Sequence, residues 1–301
     1  MKRITRRNKI KMGLGFHVFN ISNTVFLCIL ALLTFYPLYY VFIYSLSDPV
    51  AAGTGVFFWP RDFTLDNYRA IFEQSEIVRA AFISVSRTLL GTIVTVFGCS
   101  LLAYGVTKDI LPGNKIISKM TVIAMYFHVG IIPWFLTMRA YGLHNNFFVY
   151  IVPTIIVPFY FILLKTYFQS LPSALEESAM VDGAGYFTIF LRVVLPLCKP
   201  ILATVAIFAG VTQWNSWTDN LFLVTTPRLQ TLQLLLYAFL SQRTAQQIMD
   251  AVRTGDQIRT IITPMAIRMT ITVIVTLPVF LIYPFLQRYF IKGIMIGAVK
   301  G

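Results

Sequence analysis

The sequence predicts an all-α membrane protein of six transmembrane helices, and three observations carry that prediction. Of its 301 residues 57% are hydrophobic and only 12% charged, with a mean hydropathy of +0.72. Several apolar runs exceed the roughly 18 residues that mark a crossing of the bilayer core. The Lys and Arg residues behind the formal charge of +13 cluster beside those runs, where they serve membrane orientation rather than nucleic-acid binding.

The spans are expected at about 23–46, 81–106, 117–138, 147–168, 197–219 and 266–290. The opening KRITRRNKIK has the charge of a signal peptide, but the run Thr24 to Ser45 behind it is longer than a signal core of about 7–15 residues. It therefore reads as an uncleaved first helix. The second span carries Arg87, close enough to one end to snorkel, and the third carries His128. Pro37, Pro133, Pro153, Pro158, Pro278 and Pro284 punctuate the spans. They suit kinked helices around a cavity, although membrane helices tolerate proline in general. RLQTLQLLLYAFL, residues 228–240, is too short to cross and is placed in a surface or interfacial helix. The organisation is a basic cytosolic N-terminus over 1–22, a first helix and external loop over 23–79, a core of five helices over 80–291 and a cytosolic tail over 292–301.

Placing the N-terminus in the cytosol gives that side Lys2, Arg3, Arg6, Arg7, Lys9, Lys11, Lys108, Lys115, Lys119, Lys165, Arg192, Lys199 and the tail residues Arg288, Lys292 and Lys300. The other side receives fewer, mostly in two long loops that count little toward orientation. Both termini are thus expected in the cytosol.

Cys28, Cys99 and Cys198 form neither a metal spacing nor an even disulfide set and read as small core residues. His17, His128 and His144 have no ligand spacing, so no metal site is expected. No Asp or Glu lies deep in a span, which argues against a secondary transporter driven by a coupling ion.

One stretch does not fit a simple connector: EESAMVDGAGYFTIFLRVVLPLCKP, residues 176–200. Ser173 and Glu176 have the spacing of a capping box, with Pro172 just before. Glu176 and Glu177 fall in a first helical turn, where carboxylates suit the helix dipole, and Asp182-Gly183 supplies a left-handed stop. A second segment places Phe187, Phe190, Leu191 and Val194 on one face, and Pro196 limits it. The expectation is a short helix-turn-helix on the cytosolic surface, apolar on one side and acidic at one end. An ordinary amphipathic connector would have the same composition.

Glu177-Ser178-Ala179, three residues, Gly183, nine residues, then Val193-Val194-Leu195-Pro196 follow the pattern E-A-A, three, G, nine, I-x-L-P. In this the chain resembles the permease subunits of ATP-binding cassette importers. Asp182, Ala184 and Lys199-Pro200 resemble the sugar-importer version, while Ser178 and Val193 replace the family's Ala and Ile. The resemblance runs over roughly residues 80–291, and WNSWTDN (214–220) and YPFLQRYFIKGIMIGAVKG (283–301) extend it to the second channel subunit of maltose-type importers, in particular the LplC/YtcP-like group.

The resemblance implies a type I importer fold and a carbohydrate substrate, with a second homologous permease, two ATPase subunits and an extracytoplasmic solute-binding protein as partners. The ATPase-coupling residues it implies are Glu176, Glu177, Ser178, Ala179, Asp182, Gly183, Ala184 and Pro196. The sequence lacks a G-x-x-x-x-G-K-[ST] phosphate loop, so no cofactor is expected on this chain and ATP with Mg is expected on the partner ATPases. The loop of about 220–265, with Gln230, Gln233, Gln242, Gln246 and Gln247, is implied to meet the binding protein, and the tail the ATPase dimer. Trp214, Asn215, Trp217 and Asn220 could line a sugar path, although an aromatic belt at the membrane edge would place tryptophan there too. Importers of amino acids or phosphate share the coupling pattern and remain the alternative.

Overall fold

The structure, a computed structural model, describes residues 14–56, 58–127, 129–241 and 263–298. The described residues fall into two compact units, one within Met1–Tyr68 and Ile261–Val273, the other within Arg69–Thr260 and Ile274–Gly301.

In the first unit, α1 (Leu14–Ser45) has 32 residues, about 48 Å at 1.5 Å per residue. It begins well before the expected position 23. Residues 15–38 are exposed on every side, as an apolar helix covered by lipid would be. Cys28 lies in this exposed stretch rather than in a core, whereas Cys99 and Cys198 are buried. Packing begins only at the end of α1, where Ile43 and Tyr44 meet Val56, Ala266 and Ala52 of α2 (Pro49–Ala52). The Asp48 carboxylate caps α2, accepting from the Val50 and Ala51 amides at 2.9 Å each. Asn67, at the start of α3 (Asp66–Glu73), donates to the carbonyls of Ser45 and Ser47 and so closes the chain turn after α1.

The second unit is organised by α4 (Ser75–Val106), which is unbroken over 32 residues. The expected span over 117–138 is instead two helices, α5 (Asn114–Tyr126) and α6 (Ile131–Ala140). Phe127 and Gly130 have extended backbones between them, and Pro133 in the first turn of α6 has no amide to continue a helix back through the break. His128 lies outside the described residues. Residues 147–169 are also broken, into two 3₁₀ turns, Phe147–Tyr150 and Val152–Thr154, and α7 (Pro158–Gln169), bent by 45°.

Such a break leaves backbone groups without helical partners, and α4 supplies them. Thr95 donates to the Thr154 carbonyl at 2.7 Å. The Cys99 thiol donates to the Ile155 carbonyl, and its sulfur accepts from the Val157 amide at 3.3 Å.

After α7 come α8 (Ala174–Val181), α9 (Tyr186–Ile189), a π turn at Phe190–Val194 and α10 (Leu195–Leu197). An 85° bend leads into α11 (Lys199–Asn215). Then follow α12 (Thr218–Leu223), a 3₁₀ turn at Pro227–Leu229, α13 (Leu232–Leu240) and α14 (Pro264–Ala298). α4 packs against α7 and α11. Between them lie Cys99, Ala103 and Tyr104, with Phe161 and Leu164 of α7, Phe190 of the π turn and Val205 of α11. The helix expected over 228–240 forms over Leu232–Leu240, as α13, and one side of it packs inward. Leu232, Leu234 and Leu236 are buried, and the Leu232 amide donates to Ser84 of α4.

Among the described residues, three helices are long and apolar enough to cross a membrane, lying within α1, α4 and α14. The count is five if each bent pair is one span.

Candidate functional site

The stretch that stood out in the sequence is a helix-turn-helix. α8 ends at Gly183, whose φ of +82° is the left-handed conformation that favours glycine. The Gly183 amide donates to the Met180 carbonyl and the Ala184 amide to the Ala179 carbonyl, both at 3.0 Å, which is a Schellman closure. Ala179 and Ala184 rest on the core as this closure requires. Glu177, Ser178, Asp182 and Gly183 are exposed, and so are Leu175, Met180, Val181, Tyr186 and Phe187.

Three local expectations change. Ser173 has helical dihedrals, φ −58° and ψ −33°, and its side chain caps nothing; its carbonyl accepts from the Glu176 and Glu177 amides. No capping box forms, because the Glu176 carboxylate turns to α4, where it accepts from the Lys108 ammonium and the Tyr104 hydroxyl. A charged donor outcompetes a neutral backbone amide. The buried face after the turn is Ile189, Phe190 and Val194, while Phe187 and Leu191 are exposed, because the wider π turn shifts the helical register. Pro196 does not end the segment. It sits in the first turn of α10, where a missing amide costs little, and the bend falls at Cys198.

The other cluster lies where α11 gives way to α12. Arg87, expected to snorkel, is 1% exposed. Its guanidinium donates to Asp219 at 2.5 Å and 3.2 Å, to Gln213 at 3.1 Å and 3.3 Å and to the Ser216 carbonyl, and it lies 4.3 Å above the Tyr150 ring. Gln213 also donates to the Tyr150 carbonyl and to Thr154. One buried cation thus joins α4, both sides of the α11–α12 break and the 3₁₀ turns. Gly91 makes room for it: a Cβ there would stand 2.5 Å from Gln213 Nε2. Sequence reasoning missed this role, although an arginine within an apolar run and an aspartate at the end of another were its signal.

Trp214, Asn215, Trp217 and Asn220 do not converge. Trp214 donates its ring N–H to the Val275 carbonyl and lines a cavity of about 470 Å³ with Leu89, Ile93, Ile207 and Pro278. Trp217 stacks on Tyr237 with centroids 4.2 Å apart. Asn220 is buried and accepts from the amide and hydroxyl of Thr231. Asn215 is exposed. Of the glutamines in the loop, Gln230 and Gln233 flank the start of α13; Gln242, Gln246 and Gln247 lie outside the described residues. No group of His, Cys, Asp and Glu that could hold a metal occurs among the described residues.

No family model matches the chain. It is 34% identical over 288 residues to Protein LplC of Bacillus subtilis (strain 168), across 94% of this chain and 95% of that one. It is 37% identical over 243 residues to the polygalacturonan/rhamnogalacturonan transport system permease protein YtcP of the same organism, across 80% and 84%. A crystal structure of a bacterial ABC transporter involved in the import of the acidic polysaccharide alginate contains a chain that superposes with a TM-score of 0.85 at 27% identity, covering 94% of this chain and all of that one. The protein belongs to the family of carbohydrate ABC transporter permeases, and it is a multi-pass membrane protein.

Proposed function

We propose that this chain is one of two channel subunits of a binding-protein-dependent importer and that α8 and α9 are its coupling element, docked on a cytosolic ATPase subunit. The observation that carries this is the outward face of the helix-turn-helix: Leu175, Met180, Val181, Tyr186 and Phe187 form an exposed apolar surface beside Glu177 and Asp182. An apolar patch of this kind, edged with charge, is suited to a protein partner. Glu177 would meet a basic or hydrogen-bonding group there, and Gly183 sets the tight turn that presents the surface. Closure of the ATPase dimer on ATP and Mg would draw two such elements together and open the channel outward. ATP hydrolysis belongs to the partner, as does the nucleotide site.

In this proposal both termini are cytosolic, and the six spans are α1, α4, the broken pair α5 and α6, residues 147–169, α11 and α14. The chain divides as 1–22, 23–79, 80–291 and 292–301, and the tail approaches the ATPases. For the substrate we propose an oligosaccharide from an acidic polysaccharide, supported by the names of YtcP and of the alginate importer. Trp214, lining the cavity, and exposed Asn215 are the candidates for the substrate path. Arg228, Arg243, Arg253 and Arg259 of the loop after the fifth span would attract a uronate; of these Arg243, Arg253 and Arg259 lie outside the described residues.

The test is reconstitution of the channel pair, ATPase and binding protein in liposomes, with ATP-dependent uptake of neutral oligosaccharides, uronate oligosaccharides and amino acids compared. Uptake of uronate oligosaccharides is expected. Uptake of neutral sugars alone would remove the acidic assignment, and uptake of amino acids alone the carbohydrate assignment for this chain.

A further inference from the structure

The two glutamates of α8 differ in what they touch. Consecutive residues on a helix point about 100° apart, so the pair cannot serve one surface equally. Glu177 is exposed. The Glu176 side chain is only 15% exposed and is held by the Lys108 ammonium, itself 20% exposed, and by the Tyr104 hydroxyl at 3.3 Å. Lys108 stands just past the C-terminal end of α4, where a cation also suits the helix dipole, and lies 4.6 Å from the centroid of the Tyr104 ring. Tyr104 is buried, and its ring is 5.3 Å from that of Phe190. The last turn of α4 therefore holds both limbs of the helix-turn-helix, the first through charge and the second through an aromatic contact.

α8 contains no buried residue. Its apolar contact with the core is made through the partly buried Ala179, and the Glu176 attachment adds a charged tie from α8 to the end of α4. α4, which receives it, packs on α7 and α11 and is unbroken.

We infer that Glu176 is a positioning residue, a strut that passes movement of the coupling element to α4 through Lys108 and Tyr104, while Glu177 faces the partner. This rests on the coupling reading above. It assigns the neighbouring carboxylates to different tasks, one inside the subunit and one between subunits.

The test uses the whole importer in liposomes, measuring substrate carried per ATP hydrolysed together with recovery of the ATPase on the purified permease. Glu176→Gln and Lys108→Ala are each expected to lower transport per ATP by about fivefold with ATPase recovery unchanged, an effect within the range of couplings between contacting residues. The double variant should be no worse than the poorer single variant, and Lys108→Arg should restore most of the ratio. Additive losses, or single variants with an unchanged ratio, would overturn the strut. Loss of ATPase recovery in Glu176→Gln would make Glu176 a docking residue, overturning the strut while leaving the coupling reading in place. Should Glu177→Lys and Gly183→Asp retain both recovery and transport, the coupling reading itself falls, and with it the strut.

Discussion

Arg87 and Asp219, separated by 132 positions in the chain, form a salt bridge of 2.5 Å between side chains that are 1% and 12% exposed. Gln213 and Ser216 take up more of the guanidinium's donors, and the Tyr150 ring covers one side. Removing one ion leaves the other buried without its partner, and that loss exceeds what the pair contributes while intact.

Asp219→Ala should therefore lower the stability of the folded protein by about 3 kcal/mol or more. Thermal unfolding of the detergent-solubilised chain measures this. The double variant Arg87→Met/Asp219→Leu should lose less than Asp219→Ala, since it removes both charges and fills the space. A double variant as unstable as the single one would show that packing rather than pairing sets the cost.

Gly183→Ala should cost about 1 kcal/mol, from the left-handed backbone alone, because a Cβ at this position meets nothing within 4 Å. Gly183→Asn should be milder. Gly183→Asp should insert normally into the membrane but fail to retain the ATPase on purification. Normal retention would show that the turn faces no partner.

Gly91→Ala should destabilise by about 1–3 kcal/mol, since the new methyl displaces the Gln213 amide from Tyr150 and Thr154. Gln213→Ala combined with Gly91→Ala should not lose the sum of the two. Thermal unfolding of the single and double variants decides it.

Asn145 has a φ of +52°, and its side-chain oxygen accepts from the amides of Thr225 and Thr226 at 2.6 Å and 3.1 Å. Asn145→Ala loses the clamp and strains the backbone, so it should cost about 2 kcal/mol. Asn145→Gly keeps the backbone and should cost less. Faster proteolysis in the segment around 225 in both variants, with the alanine variant also melting lower, is the expected result.

Local chemistry made part of this molecule legible in its sequence. Asp182-Gly183 announced the left-handed stop because only a residue without Cβ is comfortable at such a φ, and the long apolar runs of α1 and α4 announced themselves by length. What stayed hidden depends on which distant group a side chain meets. Ser173 and Glu176 have capping-box spacing, yet Lys108 captures the carboxylate, and no local rule contains Lys108. Arg87 looked able to reach water because its sequence neighbours do not reveal Asp219. The break at 127–130 was signalled by Gly130 and Pro133, but apolar composition across the break outweighed them. Asn220, grouped with Trp214 and Trp217 as a sugar contact, is drawn inward by Thr231. The π turn, too, had no spacing that would announce it.

α4 also carries a measure of the bilayer. From Thr88 to Thr107 it has no Asp, Glu, Lys or Arg, and the charged residues at either end of that interval, Arg87 and Lys108, are both held by carboxylates. The interval spans about 30 Å at 1.5 Å per residue, close to the thickness of the hydrocarbon slab, about 30 Å. With the bilayer edges at Arg87 and Lys108, a thinner membrane would require α4 to tilt, and the tilt would carry the contact to α8 and the α11–α12 break with it. In that arrangement, uptake in liposomes of short-chain lipids should fall more steeply than ATP hydrolysis does, and restoring the native thickness should recover it.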